Sequence, residues 1–121
     1  ILNQYLYSLV QGFCDKNETS SIAIKREIFE ETGVKVDKKN IKYLNKILPM
    51  HSLVKSKLAI YFADLKNLDS SDFKLRQKEL GTGKIYFFNL KQIKKMLKKP
   101  HTFDLISYAA ISYFLIVKKT F

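Results

Sequence analysis

Cysteine is nearly absent from this sequence, and its one occurrence, Cys14, has no partner for a disulfide within the chain. Tryptophan is missing altogether, and there are only two prolines and four glycines. With 46% apolar and 27% charged residues, this composition excludes a fibrous or disordered chain and describes one globular domain, residues 1–121. At that length a core can form without a metal or disulfide staple. Long apolar runs are lacking too. The longest, Leu105 to Val117, is interrupted by Ser107 and Ser112 and falls short of the roughly 20 residues a membrane-spanning helix needs. No secretory leader is read either, so the expectation is a reduced, cytoplasmic setting without a membrane partner.

Arginine is scarce in a different way. The chain carries 22 basic and 11 acidic residues, a net charge of +11, yet only Arg26 and Arg76 are arginines. Such a balance attracts anions in general, including nucleotides and nucleic acid. Base-reading and bidentate phosphate sites lean on arginine, however, so scattered lysine does not by itself point to a nucleic-acid binder.

Aromatic and β-branched residues predict strands over Tyr5–Val10, Ile41–Leu48, Leu58–Leu65 and Lys84–Phe88. A helix is predicted over Ile22–Thr32, capped by Thr19 or Ser20 and closed by Gly33. Two more are predicted over Leu90–Leu97 and Phe103–Val117, on either side of Pro100. Asn67–Gly83 reads as irregular. Strands and helices mix without regular alternation, which makes the class α+β.

Four of the five glutamates fall within residues 12–34. At about 100° per residue, Glu27, Glu30 and Glu31 share one arc of about 100° on the first helix, with Ala23 inside it. Ile22, Ile24, Ile28 and Phe29 take the other side. Like charges at these spacings repel, so the cluster calls for a compensating cation. Hard oxygen donors suit Mg²⁺ or Mn²⁺.

The same segment resembles the Nudix box, G-x5-E-x7-R-E-U-x-E-E-x-G-U with U aliphatic. Gly12, Glu18, Arg26, Glu27, Ile28, Glu30, Glu31, Gly33 and Val34 fill its nine fixed positions across 23 residues. The resemblance implies an α/β/α sandwich with a mixed sheet, and hydrolysis of a nucleoside diphosphate linked to another moiety. It implies Glu27 and Glu31 as principal metal ligands, Glu30 as an assisting one, a catalytic share for both Glu30 and Glu31, and a backbone carbonyl of Gln11 or Gly12 completing the site. Arg26 and Glu18 would brace loop and helix. Glu79, the one glutamate outside the box, would take the general-base or metal-binding place the family has before its last strand. It reads equally as an exposed carboxylate beside Lys78.

Pro49, 15 residues after Val34, stands where ADP-ribose pyrophosphatases carry a proline, and reads equally as a strand terminator. The final strand and two helices look like those of ADP-ribose and nucleoside-diphosphate-sugar hydrolases. Pro49 to Leu53 resembles, less closely, a motif of NADH pyrophosphatases. ADP-ribose or a nucleotide sugar is therefore the expected substrate. A dinucleotide pyrophosphatase is the alternative, and a non-catalytic nucleotide- or RNA-binding module is the alternative of another class. Only eleven residues precede Gly12, where the family has several strands, so the amino-terminal strands are expected to be missing. In ADP-ribose hydrolases those strands form a homodimer.

The remaining chemically capable residues have structural readings. His51 and His101 read as surface groups, and Cys14 as a buried or semi-buried thiol. Lys91, Lys94, Lys95, Lys98 and Lys99 read as a solvated helix face, with phosphate or RNA contact the minor reading. Tyr5, Tyr7 and Phe13 read as packing aromatics, with stacking on an adenine ring the lesser role.

Overall fold

The computed structural model describes residues 6–48, 57–65, 68–74 and 84–118. Tyr5, Pro49, His51, Arg76 and Glu79 lie outside the described residues. The backbone groups into two compact units, Val10–Ile85 and Ile1–Leu9 with Tyr86–Phe121.

In the first unit, helix α1 spans Ser20–Thr32. The Thr19 hydroxyl accepts from the Ile22 N–H at 3.3 Å, which satisfies one of the unpaired donors of the first turn. Gly33 ends the helix at φ 77°, where a side chain would strain the backbone, and donates to the Phe29 carbonyl at 2.8 Å. After a 3₁₀ turn at Lys38–Asn40 come β1, Ile41–Ile47, and β2, Leu58–Ala63. They pair antiparallel, with Ile41 opposite Ala63, Tyr43 opposite Tyr61 and Ile47 opposite Leu58. An irregularity between Tyr43 and Asn45 lets the ladder change register without losing the Tyr43–Tyr61 ring contact.

The core of this unit is Ile28, Val34 and Val36, packed by Val10, Ile24, Ile41, Ala63, Leu65 and Phe73. Ile24 and Ile28 thus face inward as predicted, whereas Ile22, also assigned to that side, is 55% exposed. At about 100° per residue it lies roughly 160° from Ile24 and 120° from Ile28, well off the stripe that meets the core. Two hydrogen bonds tie α1 down: Ser20 to the Tyr61 hydroxyl at 2.5 Å, and the Lys74 N–H to the Thr32 carbonyl at 2.8 Å. The acidic face of α1 is therefore carried on an element held at both ends.

In the second unit, α2 spans Leu90–Leu97 and α3 spans Leu105–Val117. Asn89 and Gln92 form a reciprocal capping box, with both bonds at 2.8 Å. The Asp104 carboxylate accepts from the Ser107 N–H at 3.1 Å. Ser107 is fully buried, and its hydroxyl accepts from the Leu9 N–H at 2.9 Å. Lys91, Lys94, Lys95, Lys98, Lys99 and His101 are exposed, in keeping with a solvated face.

Two predicted strands do not form. Within residues 6–10 only Tyr7 makes a bridge, a parallel one to Phe103, and residues 84–88 have no regular secondary structure. Their aromatic content is used differently. The Tyr7 ring lies edge-on to Tyr86 and Phe88, each at 5.3 Å, and 6.3 Å from Phe103. Aromatic alternation fits a pleated strand and a ring cluster alike; only a ladder to a partner backbone decides for the strand, and among the described residues that pairing stops at the single Tyr7–Phe103 bridge. The α+β class holds, with a two-stranded antiparallel sheet and three α-helices among the described residues.

Candidate active site

Everything at the carboxyl-rich face turns on Arg26. Its Nε donates to Glu18 Oε2 at 2.9 Å and its Nη2 to Glu18 Oε1 at 2.9 Å, the two-pronged geometry that only a guanidinium offers. The same Nη2 donates to the Phe13 carbonyl at 2.9 Å. Nη1 donates to Glu27 Oε1 at 2.9 Å and to Glu30 Oε2 at 3.2 Å. Asp15 adds a fourth carboxylate at 3.5 Å. One side chain thereby fixes the loop, the start of the box and the helix to one another.

The loop is locked from its own side as well. Glu18 Oε1 accepts from the Asp15 N–H at 2.8 Å, and the Glu18 N–H donates to the Asp15 carbonyl at 3.0 Å. Asn17 adopts φ 67°, a left-handed conformation that asparagine tolerates better than most residues. Gly12 is needed for a different reason. A Cβ there would overlap the Cγ, Cδ and Oε1 atoms of Glu27, so the backbone of the loop runs directly against that carboxylate.

Arg26 and the backbone N–H of Asp15 hold the Glu18 carboxyl at about 2, down from its ordinary 4.5. The hydrogen bond to Glu18, with support from Glu27, pushes the Arg26 guanidinium still further up, so it stays charged at every accessible pH. A depressed folded-state value means that the ion pair stabilises the fold above pH 4.5 and loses its contribution as the pH falls towards about 2. Glu18→Gln is therefore expected to lower the melting temperature at neutral pH, with the difference from the parent protein shrinking below pH 4.5 and closing near pH 2. A difference that persists unchanged down to the low end would show that Glu18 acts through something other than its charge.

Glu27, Glu30 and Glu31 lie along one face of α1, half-buried. The repulsion among them is relieved in part by Arg26, a resident cation that sequence spacing alone does not reveal. Compensation is incomplete: Asp15, Glu18, Glu27 and Glu30 bring four negative charges to one positive. Among the described residues no three carboxylate, imidazole or thiol groups already converge as a metal cage. The donor chemistry nevertheless fits a hard divalent cation. Carboxylates with surplus negative charge stand beside a loop backbone close enough to contribute a carbonyl, the ligand set Mg²⁺ and Mn²⁺ prefer.

The family model for the NUDIX domain matches residues 2–107, most of the chain. The protein belongs to the NUDIX domain family. Membership places it among hydrolases that act on pyrophosphate bonds in small-molecule substrates, a chemistry that generally uses a divalent metal. Neither the curated proteins nor the solved structures return a match. Among the described residues no helix is long and apolar enough to cross a membrane.

Two residues in the first variable stretch of the Nudix box, between Gly12 and Glu18, sit differently from expectation. Cys14, read as a buried or semi-buried thiol, is exposed. Phe13, read as a packing aromatic, is 92% exposed. Both lie in the loop whose Phe13 carbonyl is held by Arg26 and whose Asp15 N–H is held by Glu18, and their side chains are left exposed. Tyr7 packs in the aromatic cluster, and Glu79 and Tyr5 lie outside the described residues.

Proposed function

We propose that this Nudix protein hydrolyses the diphosphate linkage of a nucleoside diphosphate joined to a second moiety, with ADP-ribose as the leading substrate and AMP and ribose 5-phosphate as products. The observation that carries the reading is the approach of the Gly12 backbone to the Glu27 carboxylate, held by the Arg26 brace. Loop and helix are thereby fitted together at the point where a cation and a diphosphate would meet.

Glu27 and Glu31 would hold Mg²⁺ or Mn²⁺, with Glu30 assisting and a carbonyl of Gln11 or Gly12 completing the set. When bound, the ion supplies charge neutralisation at the diphosphate and a lowered pKa for a coordinated water. The work of the chain's own residues is positional. Arg26 keeps Glu27 and Glu30 turned toward the loop at 2.9 and 3.2 Å. Glu18 keeps Arg26 in place and remains ionised throughout the neutral range. Glu79, and Glu30 on the helix, are the groups available to accept a proton from the attacking water.

The preference for ADP-ribose rests on Pro49 and on the order of the carboxy-terminal segments, where α2 and α3 follow the aromatic stretch 84–88. The test is incubation with Mg²⁺ and a panel of ADP-ribose, NADH, sugar nucleotides and capped RNA, with products identified by mass. Preferential release of AMP from ADP-ribose is the expected result. Preferential cleavage of NADH would transfer the assignment to the dinucleotide pyrophosphatases. Nucleotide or RNA binding without turnover of any substrate would make the protein a binding module.

A further inference from the structure

We propose that the lysine face of α2 docks the protein peripherally on an anionic lipid surface, with Phe87 and Leu90 entering the headgroup layer beside it. Between Tyr86 and Phe103 the chain carries five lysines, Lys91, Lys94, Lys95, Lys98 and Lys99, and no acidic residue to neutralise them. At about 100° per residue, Lys91, Lys94, Lys95 and Lys98 fall within one arc of about 100°, and all four are exposed. Ile93, Met96 and Leu97 take the opposite side, half-buried. Like charges three and four residues apart repel. Lys94 and Lys95 in the last turn are favoured by the helix dipole, but Lys91 stands in the first turn, where a positive charge is not. Helix stability therefore does not explain the whole face.

Two observations choose lipid over nucleic acid as the partner. Both arginines, Arg26 and Arg76, belong to the other compact unit, so this face offers point charges and none of the planar forks that grip phosphate bidentately. Headgroups at a fluid surface ask for no more. Apolar side chains also stand exposed where the element begins: Phe87 at 52% and Leu90 at 43%, with Leu90 about 40° round the helix from Lys94. An aliphatic leucine has no π-face to stack on a base, whereas the boundary of headgroups and acyl chains takes it out of water. The Asn89–Gln92 capping box fixes the turn that joins Phe87 to the helix, so the apolar pair and the charges are presented together. A cluster of this size on an amphipathic helix is what an anionic leaflet attracts. Such docking departs from the expectation of no membrane partner, because a charged surface is held without any spanning run.

The chain has no tryptophan, so Phe87→Trp places a single indole beside the lysine face. In the full chain its emission is expected to shift to the blue with vesicles of equimolar phosphatidylcholine and phosphatidylserine, and to stay constant with phosphatidylcholine alone. In co-sedimentation with the anionic vesicles, added salt is expected to weaken the parent protein. Lys91→Gln combined with Lys95→Gln is expected to weaken it roughly twenty-five-fold, about fivefold for each lysine near the surface, with an unchanged circular dichroism spectrum because both side chains are exposed. Equal binding to the two kinds of vesicle, undiminished binding by the double variant, or an indole that stays in water on sedimented protein would overturn the proposal. Release from the vesicles by oligouridylate at a phosphate concentration below that of the anionic lipid would overturn it in favour of a nucleic acid.

Discussion

Glu31→Gln is expected to lower kcat/KM roughly a thousandfold while leaving α1 folded. The substitution keeps shape and volume and removes one negative charge from the face that carries Glu27, Glu30 and Glu31. Ion binding and transition-state stabilisation at such a site amount to several kcal/mol, and each ~1.4 kcal/mol is tenfold in rate. The helix has no cause to unravel. Gln and Glu have similar helix propensity, and removing the Glu27–Glu31 like-charge pair at i, i+4 relieves repulsion. Circular dichroism and melting temperature should therefore match or slightly exceed those of the parent protein, while the Mg²⁺ concentration needed for half-maximal rate rises. The two readouts moving apart is the diagnostic result. Undiminished turnover would remove Glu31 from the metal site, and a parallel loss of structure would recast it as a structural carboxylate.

The division between what local residue chemistry dictates and what the folded chain adds runs through the Nudix box itself. Fixed spacing from Gly12 to Val34 identifies the segment, because a loop–helix–loop that presents carboxylates needs particular residue types at particular steps. The caps of α1 are legible for the same local reason: Thr19 and Gly33 satisfy the helix ends by their own chemistry. The Arg26 web is half legible. A lone arginine beside a glutamate cluster suggests an ion pair, but its reach back to the Phe13 carbonyl and to Glu18, eight residues earlier, depends on how the loop folds over the helix. Outside the box, prediction weakens wherever a residue's role depends on a partner distant in sequence. Tyr7, Tyr86 and Phe88 look like strand residues until Phe103 and the Thr102 carbonyl capture Tyr7 from the far side of the chain. Phe13 looks like a core aromatic until its backbone is committed to Arg26 and its ring is left facing water.

Gly12 offers the sharpest test of whether the close fit of loop and helix matters for catalysis. Gly12 is not among the described residues with positive φ, which include Gly33 at φ 77°, so backbone strain is not the issue. Space is: an added methyl group would occupy the volume of the Glu27 carboxylate. The colliding atoms belong to the end of a flexible side chain, so Glu27 can rotate away and the loop need not move. Gly12→Ala is thus expected to retain the fold and its melting temperature, because Arg26 keeps its bonds to Glu18 and to the Phe13 carbonyl. Activity is a different matter. Glu27 would lose its station beside the loop, and displacement of a catalytic group by about 1 Å can cost roughly a hundredfold in rate. The expected pattern is a hundredfold fall in kcat/KM for every diphosphate substrate alike. A Gly12→Ala protein of full activity would mean that the meeting of loop backbone and Glu27 carboxylate is packing alone, and would move the reacting centre along α1 toward Glu30 and Glu31.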